Sequence, residues 1–146
     1  MSATVRELTA SDLAAWRELF RAYGVFYETE FSDDVLDRVG ELLLTAGSGV
    51  DALVAEVDGT IVGIAHYRSH PDTFSGGRDW YLDDLFVTPE VRGTGAGRAL
   101  IAAITERAAG TGGSLRWITA DTNETAQKLY DKVATRTRWV TYEVRV

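Results

Sequence analysis

The stretch from Trp80 to Ala109 constrains this chain more than any other. A β-branched and aromatic run, Trp80 to Val87, reads as a strand and ends at Thr88-Pro89. Proline closes it because the ring removes the N–H that a sheet ladder needs. Gly93, Gly95 and Gly97 follow at alternate positions and lead into an alanine-rich apolar stretch, Ala99 to Ala109, which reads as a helix stopped by Gly110. A strand that turns through glycines into a helix start exposes unpaired amides at the positive end of the helix dipole. That arrangement cradles phosphate, and glycine lets the backbone approach a ligand with no Cβ in the way. Arg92 and Arg98 flank the turn and can add charge-assisted bonds.

The spacing excludes two common phosphate loops. No Lys-Ser/Thr pair follows the glycines, as a P-loop requires, and position 98 is arginine where the dinucleotide fingerprint needs glycine. The turn also follows the fourth predicted strand, whereas a dinucleotide fold uses its first. The pattern present is Arg92-Gly-Thr-Gly95-Ala-Gly97.

The remaining elements follow from periodicity and punctuation. Thr4 to Leu8 predicts a short strand. Ser11 or Asp12 caps a helix whose apolar face is Leu13, Trp16, Leu19, Phe20 and Tyr23, and which stops at Gly24. Ser32 caps a second helix, with Val35, Leu36, Val39, Leu42 and Leu43 inward. Val50 to Val57 and Thr60 to Tyr67 flank Asp58-Gly59, a hairpin signal, and Arg68 to Arg78 reads as a loop. Leu115 to Thr119 predicts a buried strand, and Thr122 or Asn123 caps a helix that runs through Val133. Arg138 to Val146 alternates and predicts a terminal strand. The order is β-α-α-β-β-β-α-β-α-β, an α/β chain with a central mixed sheet flanked by four helices, in one domain over residues 1–146.

Composition removes whole classes of function. A net charge of −7 disfavours nucleic acid, whose phosphates demand a basic face. With no cysteine there is no disulfide, thiolate metal site or thiol nucleophile. His66 and His70 are too few for most metal sites and read as incidental, so no metal is expected. No apolar run approaches the ~18 residues of a membrane span, and the N-terminus lacks signal-peptide character. The expected setting is the cytoplasm.

The glycine turn and the element order together resemble the GCN5-related N-acetyltransferase (GNAT) superfamily over nearly the whole chain. The resemblance implies that the Arg/Gln-x-x-Gly-x-Gly/Ala loop, here Arg92, Gly93, Thr94, Gly95, Ala96, Gly97 and Arg98, wraps the pyrophosphate of acetyl-CoA. It implies that the pantetheine arm enters a splay beside Phe86 and Val87. Asn123-Glu-Thr-Ala126-Gln-Lys-Leu-Tyr130 is similar to the family's Asn-x-x-Ala-x-x-Leu/Phe-Tyr motif. By that likeness Asn123 and Ala126 border the cofactor arm, and Tyr130 sits near the thioester sulfur. Tyr81-Leu-Asp83-Asp84-Leu-Phe-Val87 resembles the diamine and polyamine acetyltransferase branch, in which both acids belong to the amine site. Many members turn a Gly-Phe corner shortly after the tyrosine. This chain reads Lys132-Val-Ala-Thr-Arg136 there, so its final strand departs from the pattern. The likeness also implies a homodimer.

The chemistry follows from the residue types. An alkyl ammonium of pKa about 10.4 is almost wholly protonated at pH 7, and only the neutral amine attacks a thioester. A carboxylate can bind the cation and take its proton, and here Asp83 is the first choice and Asp84 the second. Strand alternation places the two on opposite faces. Tyr130 can protonate the leaving thiolate. Tyr27, Glu28 and Glu30 lie in an acid-rich connection between the first two helices and suit an elongated cation. The expected activity is direct acetyl transfer to a polyamine, diamine or other small basic amine. The alternatives are a peptide or protein lysine as acceptor, and a CoA-binding sensor with weak catalysis.

Overall fold

The computed structural model describes residues 2–146. Its elements are β1 (Thr4–Glu7), α1 (Leu13–Phe26), α2 (Asp33–Leu44), β2 (Asp51–Val57), β3 (Thr60–Pro71), β4 (Arg78–Val87), α3 (Ala96–Ala108), β5 (Gly112–Arg116) and α4 (Glu124–Val133). Short 3₁₀ turns occupy Ala10–Asp12 and Pro89–Val91. The strands lie in the order β1-β2-β3-β4-β5, antiparallel from β1 to β4, with β5 parallel to β4.

Alternation along the central strands divides the interior into two cores. Leu53, Ala55, Ala65, Tyr67 and Leu82 pack with Leu100, Ile101 and Ile104 of α3, and Tyr130 and Val133 of α4 lie against them. Ala52, Val54 and Ile64 pack on the other face with Trp16, Leu19 and Phe20 of α1 and Leu36 and Leu43 of α2.

Several predicted boundaries move for physical reasons. Helix α1 runs through Gly24 to Phe26. A Cβ at Gly24 would stand 2.8 Å from both the Phe31 ring and the Thr29 carbonyl, so glycine serves close approach there. The helix stops instead at Glu28, which takes a left-handed φ of 56°, and the Thr29 amide closes back on the Gly24 carbonyl at 2.8 Å. Ser32 caps α2 as expected, accepting from the Val35 amide at 3.2 Å. Strand β3 continues to Pro71 and β4 begins at Arg78, which shrinks the predicted loop to residues 72–77. Strand β5 starts at Gly112 and ends at Arg116, earlier than Leu115 to Thr119. Asp79 of β4 explains the shift, since its carboxylate accepts from the Ser114 amide at 2.8 Å and from Arg116 at 2.6 Å.

The predicted terminal strand does not form. From Ala134 to Val146 the chain pairs with no strand and is exposed throughout, with Trp139 83% and Tyr142 91% exposed. Alternation alone does not make a strand; a partner edge must be within reach, and no Gly-Phe corner turns this segment back onto β5.

Strand β4 carries a bulge that decides the site. His66 of β3 faces Asp84 and Tyr67 faces Leu82, so Asp83 is an extra residue without a partner. Before it, Trp80 and Leu82 face α3; after it, Leu85 and Val87 do. Asp83 and Asp84 therefore both reach residues on one face of β3, Arg68 and His66. This corrects the expectation of opposite faces.

Candidate active site

The glycine turn is shaped as its sequence requires. Gly93 and Gly95 take left-handed φ of 94° and 83°, and nothing lies within 4 Å of where a Cβ would stand on either. Gly95 is the N-cap of α3 and offers no side-chain cap. The amides of Ala96, Gly97 and Arg98 consequently have no backbone partner among the described residues, and they point out of the first turn with the helix dipole. The Arg92 and Thr94 amides are used inside the turn, bonding to the Pro89 and Val91 carbonyls. Gly97 is buried, and a Cβ on it would meet Leu129 at 3.4 Å, so it seats α4 against α3.

Beside the turn the sheet opens. Parallel pairing of β4 with β5 ends at Tyr81 and Arg116, and β4 continues to Val87 with no strand on that side among the described residues. Phe86 and Val87 thus stand on an unpaired backbone edge next to the cradle. An open strand edge plus a ring of free amides fits an elongated diphosphate ester carrying an amide-bearing arm.

The two aspartates have different surroundings. Asp83 accepts from Arg68 Nε at 3.0 and 3.2 Å, and the Arg68 guanidinium stacks over Tyr81 at 4.8 Å. Asp84 accepts from Nδ1 of His66 at 2.9 Å. The Tyr23 hydroxyl lies beside Asp84; burial, first, and the carboxylate, second, push that phenol well above the ordinary tyrosine range. Phe86 packs edge-on to Tyr23, and Phe20 stacks on Phe31. Asp84 therefore sits in an aromatic-walled cleft between β4 and α1, with no Lys or Arg paired to it among the described residues.

Tyr130 projects from α4 with its ring edge-on to Trp117, 5.3 Å between centroids. It borders a cavity of about 460 Å³ between the end of β5, α4 and the chain after Ala134, shared with Tyr81, Trp117 and Trp139. Burial raises its hydroxyl above the usual value, which keeps it a proton donor. Asn123 caps α4 by accepting from the Ala126 amide at 3.2 Å, so both residues act first on the helix start.

The acidic connection is partly neutralised. Arg17 binds Asp33 and Asp37, and Arg21 binds Asp33, all from α1. Glu28 and Glu30 stay exposed and, with Arg21, Phe31 and Asp33, line an open hollow of about 660 Å³. Tyr27 sits edge-on to Tyr23, on the face of α1 that carries Tyr23 and not among the residues lining that hollow. Among the described residues no three metal-ligating side chains gather, and no helix is long and apolar enough to cross a membrane.

Sequence reasoning missed His66, Trp16 and Tyr23. His66 is 2% exposed and far from incidental. A polar residue inside the apolar run Ile64-Ala65-His66-Tyr67 was the available signal, since a buried imidazole demands partners.

Comparison with known proteins agrees with this geometry. The model of the acetyltransferase (GNAT) family matches residues 13–134. A D-amino-acid N-acetyltransferase of Saccharomyces cerevisiae is 31% identical over 142 residues, which is 95% of this chain and 88% of that protein. An aminoglycoside N(6')-acetyltransferase of Stenotrophomonas maltophilia is 34% identical over 104 residues, 69% of this chain and 64% of that one. The solved structure of an aminoglycoside N-acetyltransferase in complex with CoA has the same fold, with a TM-score of 0.81 at 23% identity, covering 98% of this chain and 94% of that one. The chain belongs to the GNAT family of acetyltransferases. It is an acyltransferase, and acetyl-CoA is its donor.

Proposed function

We propose that this enzyme, a single catalytic unit over residues 1–146, moves an acetyl group directly from acetyl-CoA to a primary amine of a small cationic acceptor. A diamine or polyamine is the favoured class. The observation that carries this reading is Asp84, a carboxylate in an aromatic cleft beside the open edge of β4. The relatives named for D-amino acids and aminoglycosides also act on amines, and an aminoglycoside is itself a polycation.

Acetyl-CoA supplies a thioester-activated acetyl group. The free amides of Gly93, Gly95, Ala96, Gly97 and Arg98, with the Arg92 and Arg98 side chains, would hold its phosphates. The edge of β4 up to Phe86 and Val87 would receive its arm. Asp84 binds the acceptor ammonium and takes one proton from it, leaving a lone pair on nitrogen. Asp83 is tied to Arg68 and serves the wall of the cleft. As the amine nitrogen bonds to the acetyl carbon and the carbon–sulfur bond breaks, Tyr130 would give its proton to the departing sulfur, whose thiol has a pKa of about 8.5. The nitrogen's second proton and the one held by Asp84 would pass to solvent, from which Tyr130 regains its own. Glu28 and Glu30 would hold the acceptor's remote amine, and the Tyr27 ring, packed on Tyr23, would offer an aromatic face to its chain.

An acceptor screen tests this directly. With acetyl-CoA present and thiol release followed, spermidine and diamines should exceed D-amino acids, neutral-tailed monoamines and lysine peptides in kcat/KM. Added salt should erode the advantage by screening. Glu28→Gln with Glu30→Gln should raise KM for spermidine and leave kcat nearly intact, because a remote charge acts equally on ground and transition states. Better turnover of acidic or neutral amines would remove the polyamine reading.

The proposed assembly is a homodimer. Its support is the segment after Ala134, where Trp139, Val140, Tyr142, Val144 and Val146 are each more than 70% exposed in a single copy. So much apolar surface calls for a cover, and a second copy of the chain supplies one symmetrically. Light scattering should give twice the 16.0 kDa chain mass. Trp139→Glu should return it to one.

A further inference from the structure

His66 sits at the centre of a three-residue chain of which the proposed chemistry uses only Asp84. Trp16 of α1 donates its indole N–H to Nε2 of His66 at 2.8 Å, and Nδ1 of His66 lies 2.9 Å from Oδ2 of Asp84. Trp16 is 1% exposed and His66 2% exposed, and Phe20 closes the imidazole edge-on at 4.8 Å. An indole nitrogen can only donate. Nε2 must therefore present its lone pair to Trp16, and the one ring proton must be on Nδ1, directed at the carboxylate. A doubly protonated ring would set an N–H against the Trp16 N–H across that same 2.8 Å. Carboxylate oxygens only accept, so each link has one possible direction.

The geometry points to His66 as the positioning residue for Asp84, locked by Trp16 as a neutral Nδ1–H donor. This rests on the reading that Asp84 takes the acceptor's proton. The donor chain holds Oδ2 of Asp84 and, with the Tyr23 hydroxyl beside the same carboxylate, fixes the rotation of the group presented to the ammonium. It also bars His66 from accepting that proton, because its only lone pair faces Trp16. Catalytic His-Asp pairs usually have the carboxylate orienting an imidazole base. Here the roles are exchanged, with the imidazole orienting a carboxylate base.

Long-range ¹H–¹⁵N correlation of the imidazoles in the intact protein tests the lock without any acceptor. His66 should show a protonated Nδ1 and a bare Nε2, and Trp16→Phe should lose that pure pattern. A protonated Nε2 in the unaltered protein overturns the proposal. Kinetics with acetyl-CoA and spermidine test the positioning. His66→Leu keeps bulk without a donor, and should lower kcat by up to about 10²-fold, the cost of a misplaced group, with KM for acetyl-CoA unchanged. His66→Asn places an amide N–H near the former Nδ1 and should recover most of that loss. Equal loss in the Asn and Leu variants, or none in Leu, overturns the positioning role. Asp84→Asn separates the two readings: full activity there sinks Asp84 as base, while the imidazole spectrum still reports on the donor chain.

Discussion

Arg68 Nε stands 3.0 Å from the Asp83 carboxylate, whereas the neighbouring Asp84 has an imidazole and a phenol for company. Adjacent residues of one sequence motif thus have unequal freedom to handle a proton. Asp84→Asn should lower kcat by roughly 10²–10⁴-fold, the range for a lost general base. Asp83→Asn should cost far less and act chiefly on KM. Steady-state kinetics with spermidine and acetyl-CoA compare them, and the reverse ranking would give Asp83 the base role.

Gly95→Val places a branched side chain at a φ of 83°, where only glycine is comfortable, and above an open cradle. Acetyl-CoA affinity should fall at least tenfold by calorimetry. Part of the effect is strain, so the melting temperature without ligand should also drop. Arg98→Ala gives a strain-free comparison, weakening acetyl-CoA by charge alone.

Tyr130→Phe removes an oxygen and keeps the ring that packs on Trp117. It should reduce kcat by about 10²-fold or more with acetyl-CoA binding unchanged. The loss should be smaller for an acetyl donor whose thiol leaves more readily. A Phe variant with full activity would return thiolate departure to water.

Asp12 links the N-terminal strand to α1. Arg6 grips its carboxylate at 2.7 and 2.9 Å, and the Thr9 amide adds a bond at 2.8 Å. The Arg6 guanidinium, above all, holds that carboxyl well below the usual range. Between the native and unfolded titrations the unfolded chain binds the extra proton, so this contribution is whole above about pH 5 and fades as pH falls. Asp12→Ala should cost about 1–3 kcal/mol at pH 7 in urea unfolding. The gap to the unaltered protein should narrow at pH 3.

Much of this architecture was legible from local chemistry. The hairpin at Asp58-Gly59, the Ser32 cap and the turn from Val87 into α3 are each fixed by residues adjacent in sequence, and each formed where expected. What escaped depends on partners far along the chain. The bulge at Asp83 is visible only when β4 is laid against β3, and the His66–Asp84 contact spans 18 residues. The end of α1 was misjudged because Gly24 has a packing role against Phe31 that only the folded chain defines. The segment from Arg138 to Val146 has the alternation of a strand and lacks an edge to join.

The extra residue in β4 amounts to a half-period slip in the pleat. Upstream, even-numbered residues furnish the core under α3; downstream, that duty passes to odd ones. Taking Asp83 out would let Leu82, Asp84 and Leu85 alternate without interruption, with Asp84 still opposite His66 and Leu85 still under α3. The insertion therefore leaves the rest of the strand undisturbed: it sets a second carboxylate beside the first on the same side of the sheet while every residue downstream keeps its face.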